Sequence, residues 1–500
     1  MNNFAAMMLH QPASGWPFRK QNLYYTVQYI DNTMEENIKT TPERKRLTYE
    51  NKLILAPMVR VGTLPMRLLA LDYGADIVYT EELIDWKLLR SFRRVNDVLG
   101  TIDYIDKTDG TVTFRTCPRE RDKVVLQIGT CDGTRALKVG KMVEQDVAGI
   151  DLNMGCPKLF SMLGKMGAAL LQEPETATNI LKTLVDNLSI PVTCKIRVLP
   201  DVEKTLELCQ LLASTGISAI AVHGRTVNER PQHANRNDVL KMISSKLSIP
   251  VIANGGSKEI QRYFDILKFK EVTGCSSVML ARAAEWNCSI FCKEGLLPME
   301  DVIKAYIKYA VDCDNSPSNT KYCIQNILRE QQESPLGRRF LNSQTLEQIC
   351  DVWELSDYCR SKRKEFEEKG LLGRSQVSPM KEDEVHLEDQ SCNKRKLSEE
   401  EDIVLMHCAF LRNNYVSDLE LPKTILHKWT QTQRKKMPQY ETHQKGKLFR
   451  SVITVDGRKY GSSFWEKNKK WAEQGAALVC LFSLGLVNEK SVCTTGNISS

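Results

Sequence analysis

From Lys52 to Arg282 the chain alternates short apolar runs with longer stretches in which apolar residues recur every three or four positions. The runs are Lys52–Met58 (KLILAPM), Ala75–Thr80 (ADIVYT), Val124–Gly129 (VVLQIG) and Gly149–Gly155 (GIDLNMG). They continue with Pro191–Arg197 (PVTCKIR), Ala219–Gly224 (AIAVHG), Pro250–Gly256 (PVIANGG) and Ser276–Arg282 (SSVMLAR). Each is rich in Val, Ile and Leu, the pattern of a strand buried on both faces of a parallel sheet. The stretches between them carry helical spacing, as in Leu64, Leu68, Leu69 and Leu71, or Ile180, Leu181, Leu184 and Val185. Eight strand–helix units in 231 residues predict an α/β fold of the TIM (β/α)8 barrel type, which takes about 250 residues. A doubly wound open sheet is the alternative.

The barrel is preferred because polar residues gather at the C-terminal ends of the runs, which a barrel brings to one mouth. Those ends offer Pro57-Met58, Glu81-Glu82, Gln127, Asn153 with Cys156, Lys195 with Arg197, His223 with Arg225, Asn254-Gly255-Gly256 and Ala281-Arg282. The last two units are the usual phosphate site of a barrel, where backbone amides and a helix N-terminus face an anion. Gly255-Gly256 allows close backbone approach, and Arg282 adds a charge-assisted contact. A phosphate there, with Lys195 and His223 deeper in the mouth, fits flavin mononucleotide (FMN). Lys195 would stabilise charge on the reduced ring, and His223 and Gln127 would bond its polar edge.

Beyond the barrel the pattern changes twice. Residues 298–373 are helical in spacing, with Ile303, Tyr306, Ile307 and Ala310 on one face. Residues 374–402 are polar and read as a linker. A module at 403–488 then reads as helix (Pro422–Arg434), three strands (Gln439–Thr442, Leu448–Val455, Lys459–Phe464) and helix (Lys467–Leu484), with Asp456-Gly457 as a hairpin turn. Residues 1–50 are expected to be a poorly ordered extension, 51–297 the barrel domain and 489–500 a tail.

Charge sharpens this division. The 500 residues carry a formal +7, yet residues 421–470 hold 13 Lys+Arg against three acids. That segment is therefore +10 and the other 450 residues are −3. A basic module on a near-neutral body points to a polyanion partner. Lys467, Lys469 and Lys470 crowd a helix N-terminus, against the helix dipole, which suggests a partner anion there. The alternative is a solvated basic surface.

The hydrophobic content of 42% excludes a disordered or fibrous chain. No apolar run approaches the ~18 residues of a membrane helix, and the first 30 residues lack a signal-peptide core. The sixteen Cys are scattered from Cys117 to Cys493 with no CxxC pair, which indicates a reducing compartment rather than a disulfide framework. Cys288 and Cys292 have no matching Cys/His pair, so no metal site is expected. The cytoplasm is the expected location. The basic run at 393–396 leaves a nuclear alternative, and the weakly acidic N-terminus a mitochondrial one.

One segment joins these readings. Asp151-Leu-Asn-Met-Gly-Cys156-Pro-Lys158 ends a predicted strand in a turn that lifts Cys156 into the mouth, and Gly167-Ala-Ala-Leu170 follows. A lone Cys is most often a small buried hydrophobe; here Asn153 and Lys158 beside it favour chemistry. With LAPMVRVGTLPMR from Leu55, CKIR from Cys194, VHGRT from Val222, IANGG from Ile252 and VMLARAA from Val278, the chain from Lys52 to Arg282 resembles the dihydrouridine synthase family. The continuation Val227–His233 departs from the bacterial pattern. The resemblance implies an FMN enzyme, reduced by NADPH (or NADH), that converts a tRNA uridine to 5,6-dihydrouridine. It implies hydride transfer to carbon 6 of the uracil and a proton from Cys156 to carbon 5. It places FMN contacts on Pro57, Met58, Gln127, Lys195, His223, Asn254, Gly255, Gly256, Ala281 and Arg282, with Glu81 or Glu82 lining the pocket. Lys158 and Arg225 would meet RNA phosphate at the rim, and Lys321, Arg329 and Arg338 would contact the tRNA backbone.

The basic module resembles a double-stranded RNA-binding domain, with Lys423, Lys467, Lys469 and Lys470 as RNA contacts. Such domains read the shape of A-form RNA, so this one would dock a tRNA stem. The pairing of barrel and module is similar to the eukaryotic subgroup acting on the D-loop uridine at position 20. The D-arm and stem of tRNA are the expected partner, with no membrane and no obligate protein partner evident. Two other readings remain at this stage: a barrel acting on a free pyrimidine, which leaves the +10 module unexplained, and a catalytically silent RNA-binding scaffold.

Overall fold

Alternation along each barrel strand sorts its side chains into two layers. In Val192–Arg197, Val192, Cys194 and Ile196 join the large apolar cluster shared with the surrounding helices. Thr193, Lys195 and Arg197 take the opposite parity and face the barrel interior and mouth. The computed structural model describes residues 46–108, 110–371 and 403–487, the last stretch without 407, 409, 411–414, 416, 446, 447 and 467. Most of the extension, the linker at 374–402, the basic run at 393–396, Lys467 and the tail lie outside the described residues.

The predicted runs form eight parallel strands: β1 (Leu53–Leu55), β2 (Ile77–Tyr79), β3 (Val124–Gly129), β4 (Gly149–Met154), β5 (Val192–Arg197), β6 (Ala219–His223), β7 (Val251–Asn254) and β8 (Ser277–Leu280). Their order is β2-β1-β8-β7-β6-β5-β4-β3, and β2 pairs with β3 through Val78↔Val124 and Tyr79↔Val125. The sheet therefore closes into a TIM barrel, which excludes the open doubly wound sheet. Its interior is packed by Ile54, Ile77, Tyr79, Val125, Ala219, Ala221, Ile252 and Met279. Tyr49, which the sequence placed in the extension, belongs to this inner cluster and is 1% exposed. It closes the floor at the strand N-termini, where a Cβ on Gly149 would lie 2.9 Å from its hydroxyl.

An antiparallel sheet that the sequence pattern did not disclose is inserted between β2 and β3: Ser91–Asn96, Thr101–Asp106 and Val112–Thr116. Its apolar signal is masked because it buries carboxylates. Asp103 is fully buried and accepts two bonds from Arg115, at 2.6 and 2.8 Å, with Thr101 and Asn96 satisfying it further. Burial pushes its pKa up, but the Arg115 pair and the other donors outweigh that and hold it below the usual carboxylate range. Beside it Arg67, 2% exposed, makes paired bonds to buried Glu120 at 2.8 and 2.6 Å and donates to the Gly62 carbonyl at 2.7 Å. The loop after β1, part of the mouth, is thus pinned from beneath.

Helices Met299–Asp312, Pro317–Leu328, Pro335–Asn342, Leu346–Val352 and Ser356–Glu368 form the helical part. Buried residues of these helices join the same apolar cluster as the barrel helices. Pro317–Leu328 grips the β1 loop: Arg60 stacks on Tyr322 at 4.0 Å, and Asn319 donates to the Arg60 carbonyl at 2.6 Å.

In the basic module, helix Pro422–Thr432 and helix Lys469–Ser483 pack on a sheet with strands β9 (Ile403–Met406), β10 (Gln439–Lys445), β11 (Leu448–Val455) and β12 (Arg458–Ser462). The α-β-β-β-α order is as read, and Asp456 and Gly457 take the two positive φ angles (51° and 77°) that a tight hairpin needs. Strand β9 is an addition, pairing parallel to β12. A short apolar run such as IVLM carries no periodicity of its own. No helix among the described residues is long and apolar enough to cross a membrane.

Replacing Arg67 by Met leaves the Glu120 carboxylate buried without its partner. The variant should lose ~3–5 kcal/mol, with the double replacement Arg67→Met/Glu120→Met recovering much of it. Urea unfolding midpoints of the two variants against the parent measure this.

Candidate active site at the barrel mouth

Inside the barrel one hydrogen-bond chain runs from the floor of the mouth to the reactive loop. Asp151 on β4 is fully buried. Its two oxygens accept from Gln127 Nε2 at 2.8 Å and Thr193 Oγ1 at 2.7 Å. Gln127 Oε1 then accepts from Asn153 Nδ2 at 2.9 Å. Asn153 Oδ1 in turn accepts from the backbone amides of Gly155 (2.9 Å) and Cys156 (3.0 Å). The turn carrying Cys156 is therefore set by strand residues. Burial pushes the Asp151 carboxyl up to about 6, against the two donors and Lys195.

Cys156 is half-buried. Ser161 Oγ lies 3.3 Å from its Sγ. Gly167, at φ 60°, packs behind it, and a Cβ there would fall 2.8 Å from the Cys156 carbonyl. Burial raises the thiol pKa; Ser161 opposes this and the facing Glu82 carboxylate adds to it. The Glu82 carboxyl is itself raised by burial, countered by Cys156 and Lys158. Glu82 is placed here because Leu83–Ile84 pair with Ile128–Gly129 at the end of β3. The cysteine is thus held as a thiol, the form a proton donor requires.

The strand ends that follow are cationic. Lys195 faces the mouth, and burial with Arg197 nearby pushes it down to about 8 despite Asp151. His223 is held neutral by burial and by Lys195, Arg197, Arg225 and Arg282. Its Nε2 lies 3.2 Å from Arg225 Nη1; a guanidinium can only donate, so Nε2 accepts and the hydrogen sits on Nδ1. Asn254 donates to the Met279 carbonyl at 2.8 Å. Gly255 has φ 117°, and a Cβ there would collide with Asn235 and His223; one on Gly256 would strike Phe269. Pro57, Met58, Ala281 and Arg282 are partly exposed at the same mouth. Clustered cations beside two glycines that expose backbone form a cradle for an anion, so these residues fit a flavin phosphate and ring.

Comparison with known proteins agrees with this geometry. The family described as "Dihydrouridine synthase (Dus)" matches residues 54–313, and "Double-stranded RNA binding motif" matches 422–484. The chain belongs to the dihydrouridine synthase family. A Schizosaccharomyces pombe protein named tRNA-dihydrouridine(20) synthase [NAD(P)+] is 37% identical over 319 residues, covering 62% of this chain and 66% of that one. The Saccharomyces cerevisiae protein of the same name is 36% identical over 301 residues, covering 56% and 78%. A human protein named tRNA-dihydrouridine(20a/20b) synthase [NAD(P)+]-like is 31% identical over 241 residues, covering 48% and 70%. Dihydrouridine synthases are flavin-dependent oxidoreductases.

Within this family member several expected contacts move. Arg225 was expected at RNA phosphate, but it is 3% exposed and donates to the carbonyls of Gly255 (2.7 Å) and His233 (2.9 Å). It braces the glycine cradle. Lys423, expected at RNA, pairs with Glu473 and lies 4.4 Å from the centre of the Tyr440 ring, tying the module's helices and sheet together. Lys321 donates to the carbonyls of Leu341 and Ser343. Lys158, Lys469 and Lys470 remain exposed. Arg329 and Arg338 are exposed and lie near Glu330 and Glu333. Arg197, expected at the mouth beside Lys195, donates its Nε to the Gly155 carbonyl at 2.8 Å, and Ser161 and Asn235 are site residues that the sequence reading missed. Those two act through tertiary neighbours, which no local pattern marks.

Glu82→Gln removes the negative charge facing Cys156 and should make its thiolate easier to form. Alkylation of Cys156 by iodoacetamide, mapped by mass spectrometry, should then reach its pH midpoint at lower pH than in the parent. An unmoved midpoint means that Glu82 does not govern the thiol.

Proposed function

We propose that this chain reduces a uridine to 5,6-dihydrouridine in the D-loop of tRNA, at position 20, with FMN as cofactor and NADPH or NADH as reductant. The observation that carries the reading is Cys156, a half-buried thiol kept protonated at the edge of a cationic, glycine-lined barrel mouth. The names of the two yeast relatives support the tRNA substrate and the position.

The proposed holders of FMN are Pro57, Met58, Gln127, Lys195, His223, Asn254, Gly255, Gly256, Ala281 and Arg282. When bound, FMN supplies the hydride for carbon 6 of the uracil. The chain's own residues do the rest. Asn153 and Ser161 hold the Cys156 thiol in place, and its Sγ keeps the proton destined for carbon 5. Negative charge developing on the uracil carbonyl is met by the cationic rim. The uracil must leave its base stack to reach this depth. Lys158 at the rim and Lys469 and Lys470 in the basic module are the proposed RNA phosphate contacts. The proposed division is barrel 51–297, helical part 298–373, linker 374–402 and RNA module 403–488, and the two family matches fall within it apart from the barrel match reaching Cys313. Sixteen scattered cysteines support a reducing compartment, for which we propose the cytoplasm.

Incubation with NADPH and unmodified tRNA, followed by mass spectrometry of digests, should show two added hydrogens on one D-loop uridine. Cys156→Ala should be slower by about 10²–10⁴-fold, the usual contribution of a positioned acid. Parent-like turnover would remove the cysteine from the chemistry. Lys469→Ala/Lys470→Ala should weaken tRNA binding and flatten its log–log salt slope by about two.

A further inference from the structure

The segment following Cys156 has its polarity reversed. Leu159–Leu163 (LFSML) form a five-residue helix. Its one polar residue, Ser161, is fully buried against the Cys156 thiol. Its four apolar residues face outward: Leu159 is 73% exposed, Phe160 48%, Met162 38% and Leu163 75%. A single exposed apolar side chain needs no account, but four in five consecutive residues make a patch that calls for a partner. The helix is held in this orientation. Ser161 N donates to the Lys158 carbonyl and Met166 N to the Ser161 carbonyl, both at 3.0 Å, and Gly167 backs the Cys156 turn.

Two features identify the occupant. The patch begins three residues after Cys156, so it is continuous with the place where the target uracil must sit. It is also bracketed by exposed lysines, Lys158 before it and Lys165 after it, with no acid between. Apolar and aromatic side chains interleaved with cations suit unstacked bases and their phosphates. Removing a uridine from a stack leaves its neighbours' faces bare, and apolar wedges fill such gaps in other nucleic-acid proteins. We propose that the Leu159–Leu163 helix is a wedge that seats the bases flanking the target uridine, while Lys158 and Lys165 meet their phosphates. The inference rests on the tRNA-reducing reading and specifies how that site opens its substrate.

The test is Leu159→Ser/Phe160→Ser/Leu163→Ser in the full-length holoenzyme. KM for intact tRNA and the tRNA dissociation constant should each rise about tenfold or more, as expected for losing base stacking. Flavin reduction by NADPH, which does not involve RNA, should keep its parent rate. Phe160→Trp, which keeps a stacking face, should keep the parent KM. A triple variant that matches the parent on tRNA overturns the wedge alone. A parent that forms dimers which the triple variant abolishes, with tRNA kinetics unchanged, also overturns it and assigns the patch to a second copy. A parent that makes no dihydrouridine overturns the functional reading, and the wedge with it.

Discussion

The site depends on a buried carboxylate. Asp151 sits on the inward parity of β4, where no water can solvate it, and its two oxygens are satisfied by Gln127 and Thr193 from the neighbouring strands. A buried acceptor left unmet costs more than the bond returns when made, so these partners are held tightly. Gln127 has only one orientation that donates to Asp151, and that orientation presents its oxygen to Asn153. Asn153 is oriented the same way and presents its own oxygen to the amides of Gly155 and Cys156. The position of the thiol is thus transmitted through amide groups from the barrel interior.

The molecule treats charge in two contrasting ways. In and around the inserted sheet, arginines are matched to carboxylates: Arg115 to Asp103, Arg93 to Asp146 and Arg67 to Glu120. At the mouth, Lys195, Arg197, Arg225 and Arg282 gather with few acids; burial depresses the proton affinity of all four, and repulsion from neighbouring cations adds to it for the first three. Matched charges hold the loops of the mouth in place; the unmatched ones create a field suited to phosphate and to charge developing on a substrate. The thiol lies at the edge of this field, where burial and the Glu82 carboxylate favour its protonated form and Arg197 bonds the carbonyl of adjacent Gly155.

Legibility followed the range of the interactions. The barrel strands were readable because burial on both faces leaves continuous apolar runs, and the candidate residues were readable because they end those runs. The inserted sheet and the turn after it were not, because Asp103, Asp106 and Glu120 are buried by pairing with arginines rather than by being apolar. A hydrophobic pattern cannot register a carboxylate neutralised by a residue 12 or 53 positions away. Tyr49 was assigned to a loose extension because it precedes the first apolar run, yet it closes the barrel floor against Gly149, 100 positions away.

The amino-acid order by itself determined the barrel, the RNA-binding module, the basic charge that marks the module, and Cys156 as the candidate donor. These rest on local periodicity, net charge and a contiguous motif, all of which survive without coordinates. Only the tertiary structure decided what each cation does. Arg225 and Lys423 carry the same charge as Lys158 and Lys470, but the first two are turned inward onto carbonyls or Glu473 and the last two are left in water. The reversed helix after Cys156 was equally hidden, since LFSML reads as ordinary core until its exposure is known. Whether a side chain faces solvent or a partner is a property of packing, and packing is settled by contacts between residues that the chain itself keeps apart.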